Sequence, residues 1–311
     1  MNSLKICFIG IGSIARRHIR NLKTVCDKKG INLEIDALRH SKQNNEVDRI
    51  QTIYYDLKDL PDDYDAVFVT NPTELHIEAL EKVHNKGRHF FIEKPVVSMN
   101  QIKKAMDFPL RKESVYYVAC PLRYNAVIQY IKQNIRVDDV ISVRSISSSY
   151  LPDWRPGQDY RTTYSAHKDM GGGVSIDLIH EWDYLTYLFG WPEKVLHLIG
   201  KKSDLEIDSD DYAVYLAEYK DKIMELHLDY FGRKTIREVQ LITKDDTIVG
   251  DLVNNTLTFL REDKTIDFRE ERDDFQKREI EHFLNMIMGH SEKEEGFRHG
   301  IQVLNLTQGI I

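Results

Sequence analysis

Residues 1–121 predict an α/β domain with a parallel sheet, and residues 122–311 predict an α+β domain on a large open, mainly antiparallel sheet. Three observations carry that prediction. Short apolar runs alternate with amphipathic stretches through the first 120 or so residues. The character of the chain changes after Arg123. From Lys194 to Phe268 it then reads as successive strands separated by turn cues.

In the first part, strand-like runs lie at residues 5–9, 33–38, 66–70, 89–92 and 115–120. Between them, residues 14–28 and 74–85 carry apolar side chains at helical spacing. Strands alternating with helices imply βαβ units and a sheet covered on both faces. In the second part a helical stretch, 126–135, leads into a run with β-branched alternation, 140–149. A polar, aromatic-rich loop (150–168), a glycine triplet (171–173) and a helix from about 176 to 189 follow. Strand runs at 195–200, 212–219, 223–230, 238–244, 247–252 and 256–260 are punctuated by Lys220-Asp221 and Asn254-Asn255, which suggests antiparallel pairing. Helices near 274–289 and 298–307 close the chain.

Composition narrows the function classes. The 311 residues suffice for two cores, and 41% hydrophobic with 30% charged residues is ordinary for a water-soluble protein. A formal charge of -7 leaves no global basic field, so nucleic acid is not an expected partner. No apolar stretch approaches a membrane span, and the run from Ile6 to Ile11 is too short and glycine-bounded for a signal peptide. Cys7, Cys26 and Cys120 are odd in number and widely spaced; Cys7 and Cys120 read as buried inert thiols, and a reducing cytoplasm fits best.

Gly10-Ile11-Gly12-Ser13-Ile14-Ala15 follows a strand and opens a helix. The first glycine permits the tight turn, the second lets backbone approach a pyrophosphate, and Ala15 keeps helix and strand close. The helix N-terminus offers N–H groups and partial positive charge to phosphates. This is the pattern of a dinucleotide site. The second strand ends Ile35-Asp36-Ala37-Leu38 and exits through Arg39-His40-Ser41. With Arg39 at the terminal position, a guanidinium and a hydroxyl face the ribose and favour NADP. The alternative has Asp36 reaching the ribose, which selects NAD.

Strand 89–92 runs into Glu93-Lys94-Pro95, and strand 66–70 ends in Thr70-Asn71-Pro72 with His76 one turn into the next helix. Further on, Gly171-Gly172-Gly173-Val174-Ser175-Ile176-Asp177-Leu178-Ile179-His180-Glu181-Trp182-Asp183 is the densest chemistry in the chain. On a continuous helix Asp177 and His180 share a face, an arrangement suited to a tuned general acid or base. A metal site at Asp177, His180, Glu181 and Asp183 is not expected, because Tyr184 stands where a zinc-protease second histidine belongs. In order and spacing, these segments together with residues 10–15 resemble the family of glucose–fructose oxidoreductases, inositol dehydrogenases and their relatives.

The resemblance implies a Rossmann first domain, with residues 10–15, Arg39, His40, Ser41, Thr70, Asn71, Pro72, His76, Glu93 and Lys94 at the cofactor. It implies that Lys94 touches both the substrate oxygen and the nicotinamide ribose, after which Pro95 follows an unusual peptide bond, cis being one form. His180 would exchange the hydroxyl proton while Lys94 stabilises charge on the same oxygen. Family members often place the aspartate four residues before the histidine; the spacing here is three, as in a branch with Asp-x-x-His-Glu-x-Asp. Asp177 is therefore left with two readings, catalytic or substrate contact, and helix cap.

The loop bearing Trp154, Arg155, Tyr160, Arg161 and Tyr164, with Arg123 and Tyr124, offers flat faces for sugar rings and forks for anionic oxygens. The same residue types also suit a subunit interface. The expected activity is hydride transfer to or from a sugar, sugar acid or nucleotide sugar. Two alternatives are a reductase of a non-sugar carbonyl or conjugated double bond, and a non-catalytic dinucleotide sensor. Retention of both Lys94 and His180 argues against the sensor. A homodimer or homotetramer through the second-domain sheet is expected from the resemblance.

Overall fold

The structure, a computed structural model, describes residues 3–40 and 49–311. It divides into two compact units, Met1–Ala119 with Gln276–Ile301, and Cys120–Phe275 with Gln302–Ile311.

In the first unit β1 (Ser3–Ile9), α1 (Ser13–Lys29), β2 (Asn32–Leu38), β3 (Thr52–Tyr54), β4 (Tyr64–Val69), α2 (His76–Val83), β5 (Gly87–Ile92), α3 (Ile102–Met106) and β6 (Tyr116–Val118) alternate as the apolar runs require. The sheet is parallel throughout, in the order β3-β2-β1-β4-β5-β6. The order reverses between β1 and β4, which opens a crevice at their carboxyl ends. Sheet aromatics form a continuous stack: Phe8 lies 4.7 Å from Phe68, and Phe68 lies 4.6 Å from Phe91.

The second unit contains α4 (Ala126–Asn134), β7 (Val140–Tyr150), α5 (Val174–Asp177) and α6 (His180–Phe189). Then come β8 (Lys194–Gly200), β9 (Tyr212–Glu218), β10 (Ile223–Asp229), β11 (Phe231–Thr243), β12 (Thr247–Asp251), β13 (Thr256–Phe259) and β14 (Lys264–Asp267). The eight strands run β14-β13-β12-β11-β7-β10-β9-β8, with β7 and β10 parallel and the other pairs antiparallel. One face is covered by helices: Trp182 stands edge-on to Tyr215 at 5.2 Å, and Tyr184 Oη shares a 2.7 Å hydrogen bond with Ser145 Oγ. The other face leaves Leu196, Leu198, Leu216 and Ile223 exposed, with Leu196 directly opposite Leu216. Helices α7 (Asp274–Ile287) and α8 (Gly296–Leu306) end the chain.

Two sequence expectations are corrected. The boundary at residue 121 assigned both last helices to the second unit, yet residues 276–301 belong to the first. The cause is Phe283 of α7, which packs edge-on against Phe68 at 5.7 Å and Phe91 at 5.3 Å. Burying such a ring stabilises by about 3–5 kcal/mol relative to alanine, more than chain order can oppose. The single helix expected over 176–189 is broken at Leu178-Ile179, so Asp177 closes α5 and His180 opens α6. Among the described residues, β3 and β14 are short strands that periodicity did not reveal. Cys7 and Cys120 are buried, as expected for inert thiols, and burial also pushes the Cys26 thiol up to about 11. No described helix is long and apolar enough to cross a membrane.

The turn after β1 depends on Gly10. Its φ is +85°, and a Cβ there would lie 3.0 Å from the Asn71 backbone. Gly12 has φ -91° and nothing within 4 Å of an added Cβ. Gly10→Ala is therefore expected to lower unfolding free energy by about 1–3 kcal/mol in urea titration. Gly12→Ala should stay within about 0.5 kcal/mol of wild type. Equal losses in the two variants would contradict this account of the turn.

Candidate active site

The carboxyl ends of β1, β4 and β5 are cross-linked by side chains. Thr70 Oγ1 donates to the carbonyls of Ile9 (3.1 Å) and Gly10 (2.8 Å), tying the glycine turn to the end of β4. His76, the first residue of α2, is buried, with Nε2 2.9 Å from Asn71 O and Nδ1 3.1 Å from Pro95 O. Burial lowers its pKa below the usual histidine value, against the opposing pull of the carbonyls and Glu93. In the neutral ring one nitrogen donates and the other only abuts a carbonyl. The ring thus spans the strand ends that carry Asn71 and Pro95.

Glu93 lies beside His18 of α1 in a buried ion pair and accepts the Lys94 N–H at Oε2, 3.2 Å away. Burial works to raise the Glu93 pKa, but the His18 hydrogen bond and the charges of His18 and Lys94 hold it below the usual carboxylate range. Lys94 is therefore delivered at a strand end whose neighbours are fixed on both sides. The Lys94–Pro95 peptide is cis.

Local chemistry fits a dinucleotide. The N-terminus of α1 has no side-chain cap and no acidic residue in its first turn, so Gly12, Ser13 and Ile14 present backbone to the open space beside Gly12. Ala15 is fully buried against the sheet. Asn71 Oδ1 is buried without a hydrogen-bond partner, although its amide nitrogen donates to Leu75 O at 3.4 Å. Pro72 leads into the 3₁₀ turn before α2. At the end of β2, Asp36 is buried and accepts from Tyr64 Oη (2.8 Å) and Thr52 N (3.1 Å). Arg39 donates its N–H to Tyr54 O at 3.0 Å, and exposed His40 follows it. Ser41 lies outside the described residues.

In the second unit the glycine triplet serves close approach. A Cβ on Gly172 would meet Tyr164 O at 2.0 Å, and Gly173 has φ +131° with Asp210 against it. Asp210, not Asp177, bonds the first turn of α5, its Oδ2 accepting from Ser175 N at 2.9 Å. The cap reading of Asp177 is thereby corrected, because Asp177 sits at the far end of that turn. Its Oδ2 accepts from buried Tyr230 Oη at 2.6 Å. Asp177 lines an open hollow of about 560 Å³ together with Trp154 and Arg155. The Trp154 indole donates to Ser149 Oγ at 2.9 Å, and Arg155 lies over the Tyr164 ring at 5.2 Å.

The other expected substrate residues are not brought to this hollow. Arg123 is buried and holds Asp183 through Nε at 2.9 Å and Nη2 at 2.7 Å, a bidentate pair within the fold. Its neighbour Tyr124 lies in the same 3₁₀ turn before α4. Arg161 is exposed and engaged by Asp159 and Glu206. Tyr160 Oη accepts from Glu206 N at 3.1 Å and lines a separate depression. The acidic run Asp208-Ser209-Asp210-Asp211 was the signal that a cap for the glycine triplet lay elsewhere in the chain. His167, Asp169 and Asp208 cluster on the surface, but His167 and Asp208 are used in loop hydrogen bonds.

Comparison with known proteins agrees with this geometry. Residues 4–120 match the oxidoreductase family with NAD-binding Rossmann fold, and residues 128–237 match the Gfo/Idh/MocA C-terminal domain. The chain is 23% identical over 187 residues to the uncharacterized oxidoreductase YrbE of Bacillus subtilis (strain 168), covering 58% of this chain and 52% of that protein. It is 22% identical over 192 residues to myo-inositol 2-dehydrogenase of Thermotoga maritima, covering 60% and 55%. The chain thus spans about half the length of these curated relatives. The structure resembles UDP-N-acetylglucosamine 3-dehydrogenase GnnA from Acidithiobacillus ferrooxidans with TM-score 0.80 at 21% identity, covering 100% of this chain and 97% of that one. With its glycine turn, its Glu93-Lys94-Pro95 strand end and both family regions matched in order, the chain belongs to the Gfo/Idh/MocA family of NAD-binding oxidoreductases.

Proposed function

We propose that this protein is an NADP(H)-dependent oxidoreductase that moves a hydride to or from a sugar, sugar acid or nucleotide-linked sugar. The observation that carries this reading is the locked crevice edge, where Glu93 and His76 fix the strand end that delivers Lys94. The names of the relatives support the substrate class, since they state action on myo-inositol and on UDP-N-acetylglucosamine.

A bound nicotinamide dinucleotide supplies the hydride acceptor or donor. Lys94 stabilises the negative charge that develops on the substrate oxygen. His180, at the start of α6, takes the hydroxyl proton in oxidation and returns it in reduction. Asp177, held by Tyr230, contacts the substrate. Selection of NADP rests on Arg39 at the exit of β2. Support comes from Asp36, whose carboxylate is committed to Tyr64 and Thr52 and so is spent on the fold rather than on a ribose.

The exposed face of the second unit's sheet is the seat for a second copy of this chain. Leu196, Leu198, Leu216 and Ile223 form an apolar strip on adjacent strands, and Arg144 and Glu225 beside it carry opposite charges, 3.7 Å apart. A strip bearing both charge signs next to apolar residues can pair with its own copy.

Lys94→Met and His180→Ala should each lower turnover with NADP⁺ or NADPH on the reactive sugar by at least about 100-fold while cofactor still binds. Full turnover in both variants would end the assigned mechanism. In fluorescence titration, NADPH should bind more tightly than NADH, and clearly tighter NADH binding would reverse the cofactor assignment. Light scattering should give a dimer or tetramer that Leu198→Glu shifts to lower mass; a monomeric wild type would remove the interface.

A further inference from the structure

We propose that Arg237 and Arg155 form a paired-guanidinium subsite for an anionic substituent of the substrate, a carboxylate or phosphate group, with Glu181 as the positioning residue behind Arg237. The proposal rests on the sugar-oxidoreductase reading and narrows its substrate class.

The placement follows from strand register. Arg237 on β11 pairs with Ser147 on β7, so both point to the helix-covered face of the sheet. There they line the same hollow as Trp154, Arg155 and Asp177. Arg237 is only half-buried, whereas Glu181 behind it, in the first turn of α6, is fully buried. The two meet at 2.9 Å between Nε and Oε1.

A carboxylate fully removed from water costs several kcal/mol, and a single ion pair returns little net stability. The pair is better understood as orientation. The Glu181 carboxylate lies 2.9 Å from Nε, an ion-pair contact without hydrogen-bond alignment, and no described residue accepts a hydrogen bond from Nη1 or Nη2. Those two groups are the fork that recognises carboxylate or phosphate oxygens bidentately. Burial raises the Glu181 pKa, and the Arg237 charge is the chief influence opposing that rise.

Arg155 supplies the second cation. No carboxylate lies within ion-pair distance of it among the described residues, in contrast to Arg123 and Arg161, whose forks Asp183, Asp159 and Glu206 occupy. The Tyr164 ring supports its guanidinium from below. Asp177, in the same hollow, accepts a 2.6 Å hydrogen bond from the Tyr230 O–H. The Trp154 ring, set by its bond to Ser149, forms a wall suited to a sugar face.

The test is calorimetric binding to the NADP⁺-loaded full-length protein, with glucuronate, UDP-glucose and glucose as probes. At least one anionic probe is expected to bind about tenfold or more tighter than glucose. Whether glucuronate or UDP-glucose leads distinguishes carboxylate from diphosphate. Arg237→Lys, which keeps a charge beside Glu181 but lacks the fork, and Arg155→Met should each remove about tenfold or more of that affinity. Melting temperature, NADP⁺ affinity and glucose affinity should stay near wild type, which a merely structural role for Arg237 would not permit. Equal affinity for all three probes, no binding of any probe, or unchanged anion affinity in both variants would overturn the proposal. Turnover of the probes tests the underlying reading separately. Anion binding lost in the variants, with no sugar oxidised or reduced, would keep the subsite and discard the oxidoreductase assignment.

Discussion

The imidazole of His76 carries the constraint on which the rest of the candidate site depends. It stands at the start of α2 and touches main-chain carbonyls from two separate segments, Asn71 after β4 and Pro95 after β5. Main-chain oxygens at strand ends have no ladder partner, and a buried one is costly unless a donor reaches it. The neutral ring donates to one of them and packs its other nitrogen against the second, so it lies against both. The spacing between the Asn71 turn and the Lys94 turn is thereby held by the fold itself, before any ligand arrives.

Around that ring the charges are arranged with restraint. Glu93 is held below the usual carboxylate range although buried, because His18 of α1 lies against it and Lys94 adds favourable charge. The helix that provides the open N-terminus at Gly12 is the same helix that provides His18. A shift of α1 along the sheet would therefore disturb the glycine turn and the lysine end together. The aromatic stack of Phe8, Phe68 and Phe91, closed by Phe283, opposes such a shift. Rigid packing under a site is what allows polar groups above it to keep hydrogen-bond distances.

The second unit distributes several charges among separate partners. Asp183 and Arg123 neutralise each other inside the fold, and Arg161 is spent on two exposed carboxylates. Asp177 is drawn to Tyr230 and Glu181 to Arg237. The break at Leu178-Ile179 makes this possible. It lets Asp177 end one turn and His180 begin the next helix, so that each carboxylate of the segment finds a different partner.

The sequence by itself determined the order of strands and helices, the glycine turn, and the strand ends bearing Asn71 and Lys94. These are local properties: periodicity, glycine at a positive φ, and motifs only a few residues long. It left β3 and β14 unseen, since both are short edge strands with no buried side chain, and so carry little apolar pattern. It also credited Arg123 and Arg161 with roles at the substrate, because residue type alone does not reveal which carboxylate lies opposite. Only the tertiary structure decided that Phe283 returns to the first unit's core, that Asp210 bonds α5, and that Arg237 meets Glu181. Each joins residues tens to hundreds of positions apart, and sheet register and core packing choose such partners through the whole chain at once.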